Sequence, residues 1–203
     1  MTSEATQSCD MKFLEIEHKF VTPNGFDLDA FFKKVRDLSP DKDYKTEVTD
    51  TYYLLNAVPN LVYRHRFDGL IQHLTTKSVS SIDSEKRLEI NLHLNLRDQS
   101  QNIEAFLSPF GIQWSGTLRK KVQVFYFKDV EIVFYQASYL DTEVNCIELE
   151  ARSPESLESA QKCLQDWELR LGLVPSERSH QSLLHLLVLP TLPDKLKAKI
   201  AAM

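Results

Sequence analysis

Five short stretches of this chain carry charged side chains at alternate positions, a spacing that sends them to one face of a β-strand. Glu15, Glu17 and Lys19 alternate with Leu14, Ile16, His18 and Phe20. Arg64 and Arg66 stand two apart in Val62-Tyr63-Arg64-His65-Arg66, and Arg87, Glu89 and Asn91 alternate with Leu88, Ile90 and Leu92. Arg119, Lys121 and Gln123 alternate with Leu118, Val122 and Val124, where Lys120 breaks the apolar side. Cys146, Glu148, Glu150 and Arg152 alternate with Ile147, Leu149 and Ala151.

A charged strand face ordinarily meets water, where cross-strand ion pairs contribute little. The same bias on several strands supports a second reading, a barrel with its charged face inside and its apolar face under helices. About eight strands leave an interior wide enough for side chains or one small ligand. Acids and bases buried together are costly unless ions share the space. A metal–polyanion complex fits such a lumen: carboxylates take the cation, and Arg and Lys take phosphate oxygens. Periodicity by itself leaves both readings open.

The elements that must position these residues are legible from period and punctuation. Strand-like runs cover Lys12–Phe20, Thr46–Leu55, Leu61–Phe67, Gln72–Ser78, Lys86–Leu96, Thr117–Phe127, Glu131–Tyr139 and Cys146–Arg152. Helical spacing of Leu28, Phe31, Phe32, Val35 and Leu38, with Asp27 as cap, predicts a helix over Phe26–Leu38. A short helix is expected over Asn102–Leu107. A longer one opens at Ser153-Pro154-Glu155, carries the stripe Leu157, Ala160, Cys163, Leu164, Trp167 and Leu171, and stops at Gly172. Gln181–Leu189 reads as a further helix closed by Pro190, and Asp194–Met203 as a small terminal helix. Strands outnumber helices and are joined by short connections. The expected class is therefore α+β, an antiparallel β-barrel core decorated with helices. One domain over residues 11–190 is expected, after a disordered leader (1–10) and before a C-terminal tail (191–203).

Composition narrows the function. A formal net charge of -5 argues against a broad nucleic-acid surface, so any anion site must be a local cluster of Lys and Arg. Cys9, Cys146 and Cys163 fit neither a disulfide framework nor a CxxC metal pattern. No apolar run approaches the ~20 residues that span a membrane, and the polar start is no signal peptide. A cytoplasmic protein without membrane or nucleic-acid partners is expected, and a homodimer is compatible with the sequence. The histidines lack HxH or HExxH spacing, which favours packing or surface roles over zinc. Cys146 has no evident activator and reads as a buried inert thiol.

Glu15-Ile16-Glu17-His18-Lys19 resembles the ExExK signature that opens the CYTH domain of the triphosphate tunnel metalloenzymes. The rest of the chain follows that family's order, from Lys12 to about Leu187. Asp50-Thr51-Tyr52-Tyr53 is similar to its D-x-Y-F strand, and Pro59-Asn60-Leu61-Val62-Tyr63-Arg64-His65-Arg66 to its p-d-l-x-L-R-x-R run. Leu74-Thr75-Thr76-Lys77 resembles T-L-K, Arg87-Leu88-Glu89 resembles R-x-E, and Arg119-Lys120-Lys121 sits where the family has K-x-R. Ile147-Glu148-Leu149-Glu150 resembles the late E-x-E. Arg178-Ser179-His180-Gln181-Ser182-Leu183-Leu184 resembles the closing r-S-Y-x-x-L-L.

The resemblance implies a closed eight-stranded tunnel that cleaves or rearranges triphosphates with Mg2+ or Mn2+. By position, Glu15 and Glu17 are expected as metal ligands, with Glu148 and Glu150 completing the acidic sites. Lys19, Arg64, Arg66, Lys77, Arg87, Arg119 and Lys121 are expected to bind phosphate. Glu89, Glu148 and Glu150 are the candidate catalytic acids. Asn91 replaces one acid of the family pattern. No acid stands where the family places one about ten residues before the late E-x-E, the nearest being Asp141. The expected activity is hydrolysis of tripolyphosphate or a small organic triphosphate. The alternatives are class IV adenylyl cyclase chemistry and a non-catalytic polyphosphate- or nucleotide-binding module.

Overall fold

A computed structural model describes residues 14–58, 61–69, 71–78, 86–95, 97–194 and 196–197, without the side chains of Lys86 and Arg87. Its strands are β1 (Leu14–Val21), β2 (Lys42–Leu55), β3 (Leu61–Phe67), β4 (Gln72–Ser78), β5 (Lys86–His93), β6 (Ile112–Tyr126), β7 (Val130–Tyr139) and β8 (Thr142–Ala151). Helices α1 (Leu28–Asp37), α2 (Ser100–Leu107) and α3 (Leu157–Leu171) lie between and after them. The strands close into an antiparallel barrel in the order β1-β5-β4-β3-β2-β6-β7-β8, so the α+β barrel is the observed class. Closure leaves no free sheet edge over most of the circuit, and the alternating faces become an inside and an outside.

β1 is the joint of the barrel. Among the described residues it pairs with β5 from Leu14 to Ile16, and with β8 from Glu17 to Val21. Along the edge that β5 leaves, the later chain steps in: Arg178 bridges Phe20, and the Ser179 amide donates to the Lys19 carbonyl at 2.7 Å.

Two apolar clusters lie outside the barrel. α1 and α3 cover Ile16, Phe20, Phe125, Ile132, Phe134, Ile147 and Leu149, contributing Phe31, Val35, Leu164, Trp167 and Leu171. α2 places Ile103 and Leu107 over Tyr53, Leu55 and Leu74. α1 and α3 begin where polar side chains satisfy free amides. Asp27 accepts from the Ala30 amide at 2.9 Å, and Ser156 and Ser159 form a reciprocal capping box. The start of α3 thus falls at Ser156 rather than at Ser153, whose φ of 46° is incompatible with a helix start. Gly172 ends it at φ 72°, a left-handed position that costs glycine little.

The third cluster fills one end of the barrel from within. Leu183, Leu184, Leu187, Val188 and Leu192 pack on Tyr52, Leu118, Tyr135, Ala137 and Cys146, which share the inward parity of their strands. Leu187 is fully buried, a contribution of roughly 1.5–3 kcal/mol. The helix expected over Gln181–Leu189 is instead a π turn at Leu184–Val188 followed by a 3-10 turn at Leu189–Thr191. The packing continues past Pro190, and the segment makes the barrel a cup rather than an open tunnel. At β5 the expected helix cover is missing among the described residues: Leu88, Ile90 and Leu92 are exposed. No described helix is long and apolar enough to cross a membrane.

Candidate functional site

Inside the barrel lies a cavity of about 600 Å3. Alternation on each strand delivers its lining: Glu15, Glu17 and Lys19 from β1, Arg64 and Arg66 from β3, and His73 and Lys77 from β4. Glu89 and Asn91 come from β5, Lys120 from β6, Glu131 from β7, and Glu148 and Glu150 from β8. The segment from His180 to His185 forms the wall at the filled end.

The charges are mutually paired. Lys19 lies 3.0 Å from Glu148 and 3.3 Å from Glu17, and the Tyr135 hydroxyl donates to Glu148 at 2.7 Å. Lys77 bridges Glu15, at 3.0 Å, and Glu89. Arg64 donates through Nη2 to Thr75 at 3.3 Å and to Glu89 at 3.4 Å. Its buried Nε has no hydrogen-bond partner among the described residues. Deeper still, Asp50 is fully buried and accepts a fork from Arg66, at 2.7 and 2.8 Å, while Lys120 stands 2.7 Å away.

These contacts divide the lumen electrostatically. Burial alone would raise the Asp50 carboxyl, but Arg66 and Lys120 hold it well below the usual range. Burial likewise opposes ionisation of Glu89, yet Lys77 and Arg64 pull it down to about 2. On the other side, Glu150 is pushed well above the usual range, first by burial and then by Glu15, Glu131 and Glu17. Burial also raises Glu131, against its hydrogen bond with Tyr126. Burial and then Arg64 and Arg66 lower His73 to about 4, leaving it neutral at pH 7. Cations gather toward β3 and β4, and crowded acids toward β1, β7 and β8.

The crowded acids suit a divalent cation by chemistry. Carboxylate oxygens are the donors that Mg2+ and Mn2+ take, and the raised Glu150 marks a charge excess that a cation relieves. No three acidic, histidine or cysteine side chains among the described residues already stand as a ligand set. In their present rotamers Glu15 and Glu17 are engaged by Lys77 and Lys19.

Of the residues singled out from sequence, the fold brings Glu15, Glu17, Lys19, Arg64, Arg66, Lys77, Glu89, Glu148 and Glu150 to this one cavity. Arg119 and Lys121 are not there. They lie exposed on the outer face of β6, near Glu47, Gln136 and Glu143, and Lys120 takes the inward position. The usual logic of a polar face seeking the site fails on this strand. Its inner face meets the apolar segment at the filled end through Leu118 and Val122, so its polar face is the solvent one. The backbone of Arg87 stands opposite Glu15, but its side chain lies outside the described residues. Asp141 is exposed in the turn between β7 and β8, and the acid that β7 sends inward is Glu131, opposite Glu150. The structure adds Asp50, Lys120 and Glu131, which the sequence pattern does not assign to the site. A trace of Asp50 was present in Asp50-Thr51-Tyr52-Tyr53, where an acid sits among strand-forming aromatics. His18 and His65 face outward and are buried against Glu168 and Gln72.

The β6 assignment has a direct test in triphosphate binding by calorimetry. Arg119→Ala/Lys121→Ala should bind within about twofold of the unaltered protein, as exposed charges contribute little. Lys120→Ala should bind at least tenfold more weakly, about 1.4 kcal/mol.

No protein-family model matches the chain, and no curated protein matches it either. Solved structures do. A protein of Pyrococcus horikoshii OT3 superposes with a TM-score of 0.68 at 19% identity, over 85% of this chain and 99% of that one. A proposed adenylate cyclase of Bacillus halodurans gives 0.58 at 16% identity, over 87% and 99%. HpAC1 of Hippeastrum, a proposed adenylyl cyclase with a dominant triphosphatase activity, gives 0.58 at 14% identity, over 89% and 98%. The chain has the fold of these proteins, the closed eight-stranded barrel that the resemblance to the CYTH family implied.

Proposed function

We propose that the protein is a metal-assisted triphosphatase acting on tripolyphosphate or a small organic triphosphate held in the barrel. The observation that carries this reading is the division of the lumen, with Arg64, Arg66 and Lys77 facing the acids of β1 and β8 across one cavity. Phosphoryl transfer demands mainly positioning and charge stabilisation, which such a lumen supplies without a covalent nucleophile.

Arg64 offers Nε, without a hydrogen-bond partner among the described residues, beside Nη2, a forked donor for non-bridging oxygens. Lys19 and Lys77 add point charges on either side of the acids. Asp50 fixes Arg66 and Lys120 in place and offsets part of their charge. A divalent cation held by Glu15, Glu17, Glu148 and Glu150 would neutralise phosphate charge and polarise the terminal phosphoryl group. Water attacks that phosphorus, the bridging P–O bond breaks, and orthophosphate and the shortened chain leave. Glu89 at about 2 is a poor proton acceptor, and its part is to hold Arg64 and Lys77. Whichever of the β8 acids Glu148 and Glu150 the cation leaves free takes the proton of the attacking water.

The test is phosphate release from tripolyphosphate, ATP and thiamine triphosphate with Mg2+ or Mn2+, with cyclic AMP assayed in parallel. Metal-dependent phosphate release, abolished by EDTA, is the expected result. Cyclic AMP from ATP would establish cyclase chemistry instead, and calorimetric binding without turnover would establish a binding module.

A further inference from the structure

The charged residues inside the barrel have a counterpart outside it. His18 lies between Glu17 and Lys19 on β1 and points the other way, to a site where it is 1% exposed. Its Nδ1 stands 2.7 Å from Oε1 of Glu168 on α3, itself 1% exposed. Arg178, just beyond α3, closes on the same carboxylate with Nε 2.6 Å from Oε1 and Nη2 2.6 Å from Oε2. The next residue, Ser179, donates its amide to the Lys19 carbonyl, and from His180 onward the chain forms the wall of the cavity.

A buried carboxylate thus links three things: the stretch of β1 that carries Glu17 and Lys19, the helix outside, and the segment that walls the lumen. Past Ile16 no pairing with β5 is seen among the described residues, and there Arg178 bridges Phe20 and the Ser179 amide donates to the Lys19 carbonyl. The contact of His18 with Glu168 on the outer face resists rolling of this stretch about its own axis. Because alternate side chains point oppositely, any roll that shifts His18 outside shifts Glu17 and Lys19 inside.

We propose that Glu168 is a positioning residue for the phosphate site, fixing Lys19 through His18 and Arg178. This rests on the triphosphate reading of the lumen. A buried ion pair can also be merely part of the packing, in which case its removal lowers stability and leaves ligand affinity per folded molecule unchanged. A role exercised through Lys19 vanishes once Lys19 is gone, so the two substitutions must be non-additive.

The experiment is calorimetric titration of the full chain with tripolyphosphate for the unaltered protein, Glu168→Gln, Lys19→Ala and the double variant. Folding of each is checked by circular dichroism. Glu168→Gln should weaken binding about tenfold, and in the Lys19→Ala background it should cause no further loss. If Glu168→Gln does not fold, His18→Leu takes its place, since it cuts one link and leaves Arg178 paired with Glu168. Equal affinity in the unaltered protein and the single variant, or losses that add, would overturn the proposal alone. No binding of tripolyphosphate by the unaltered protein would overturn the reading of the lumen, and this inference with it.

Discussion

Arg64→Ala should lower the rate of phosphate release by roughly 10²–10³-fold, the usual cost of removing one preorganised donor from a developing phosphate charge. Arg64 is 6% exposed, and its position is set from two sides by Thr75 and Glu89. Because Nε has no hydrogen-bond partner among the described residues, that donor is already oriented, and binding a phosphate oxygen there requires no internal contact to break. Alanine removes the fork and withdraws one of the two cations that hold Glu89 ionised. Lys77 remains beside Glu89, so the fold should survive. Arg64→Lys keeps the charge and loses the planar geometry, and should recover only part of the rate. Steady-state phosphate release from tripolyphosphate, with the far-ultraviolet spectrum as a check on folding, decides the matter. A rate in Arg64→Ala equal to that of the unaltered protein would show that catalysis does not pass through this side of the lumen.

The second large effect falls on stability. Asp50→Asn preserves shape but leaves Arg66 and Lys120 facing one another without their shared anion. Breaking a buried pair from one side costs about 3–5 kcal/mol. For a chain of this size that corresponds to a fall in Tm of roughly 6–20 °C. Tripolyphosphate should restore part of the loss by supplying oxygens to the same cations. The dependence on pH follows from the lowered Asp50 carboxyl. Between its native and unfolded values the unfolded chain binds more protons, so acid favours unfolding. The contribution is complete above the unfolded value of 3.8 and fades as pH falls through the lower native value. Urea denaturation at pH 7 and pH 3 should therefore show a gap between the unaltered protein and Asp50→Asn that narrows in acid. A gap unchanged between the two would mean that the Asp50 charge does not stabilise the fold.

Much of the barrel was legible because period-2 alternation is a local property. Charged parity on β1, β3, β5 and β8 groups the residues that share a face without knowledge of any neighbour, and the resemblance supplies the expectation that this face turns inward. The same rule misled on β6. There the face carrying Arg119 and Lys121 is the more polar, but which face turns inward is set by pairing with β2 and β7. Val48 stands opposite Lys120, and both line the cavity. Nothing within β6 encodes that choice. Glu131 escapes the sequence pattern for a related reason, because the resemblance places an acid nearer the late E-x-E. Its inward direction follows from its register opposite Glu150, across a turn that Asp141 occupies.

Local sequence determined which strands exist, which of their residues share a face, and that acids and bases recur in alternation along the chain. These depend on side-chain alternation over a few residues. Tertiary structure alone decided which faces turn inward on β6 and β7, how Asp50 ties Arg66 to Lys120, and how Leu183–Leu192 fills one end of the barrel. It also decided that His18 meets Glu168, 150 residues away. Closure of the sheet brings such distant residues within hydrogen-bond reach, and the low dielectric of the interior makes each charge there depend on the partners it meets.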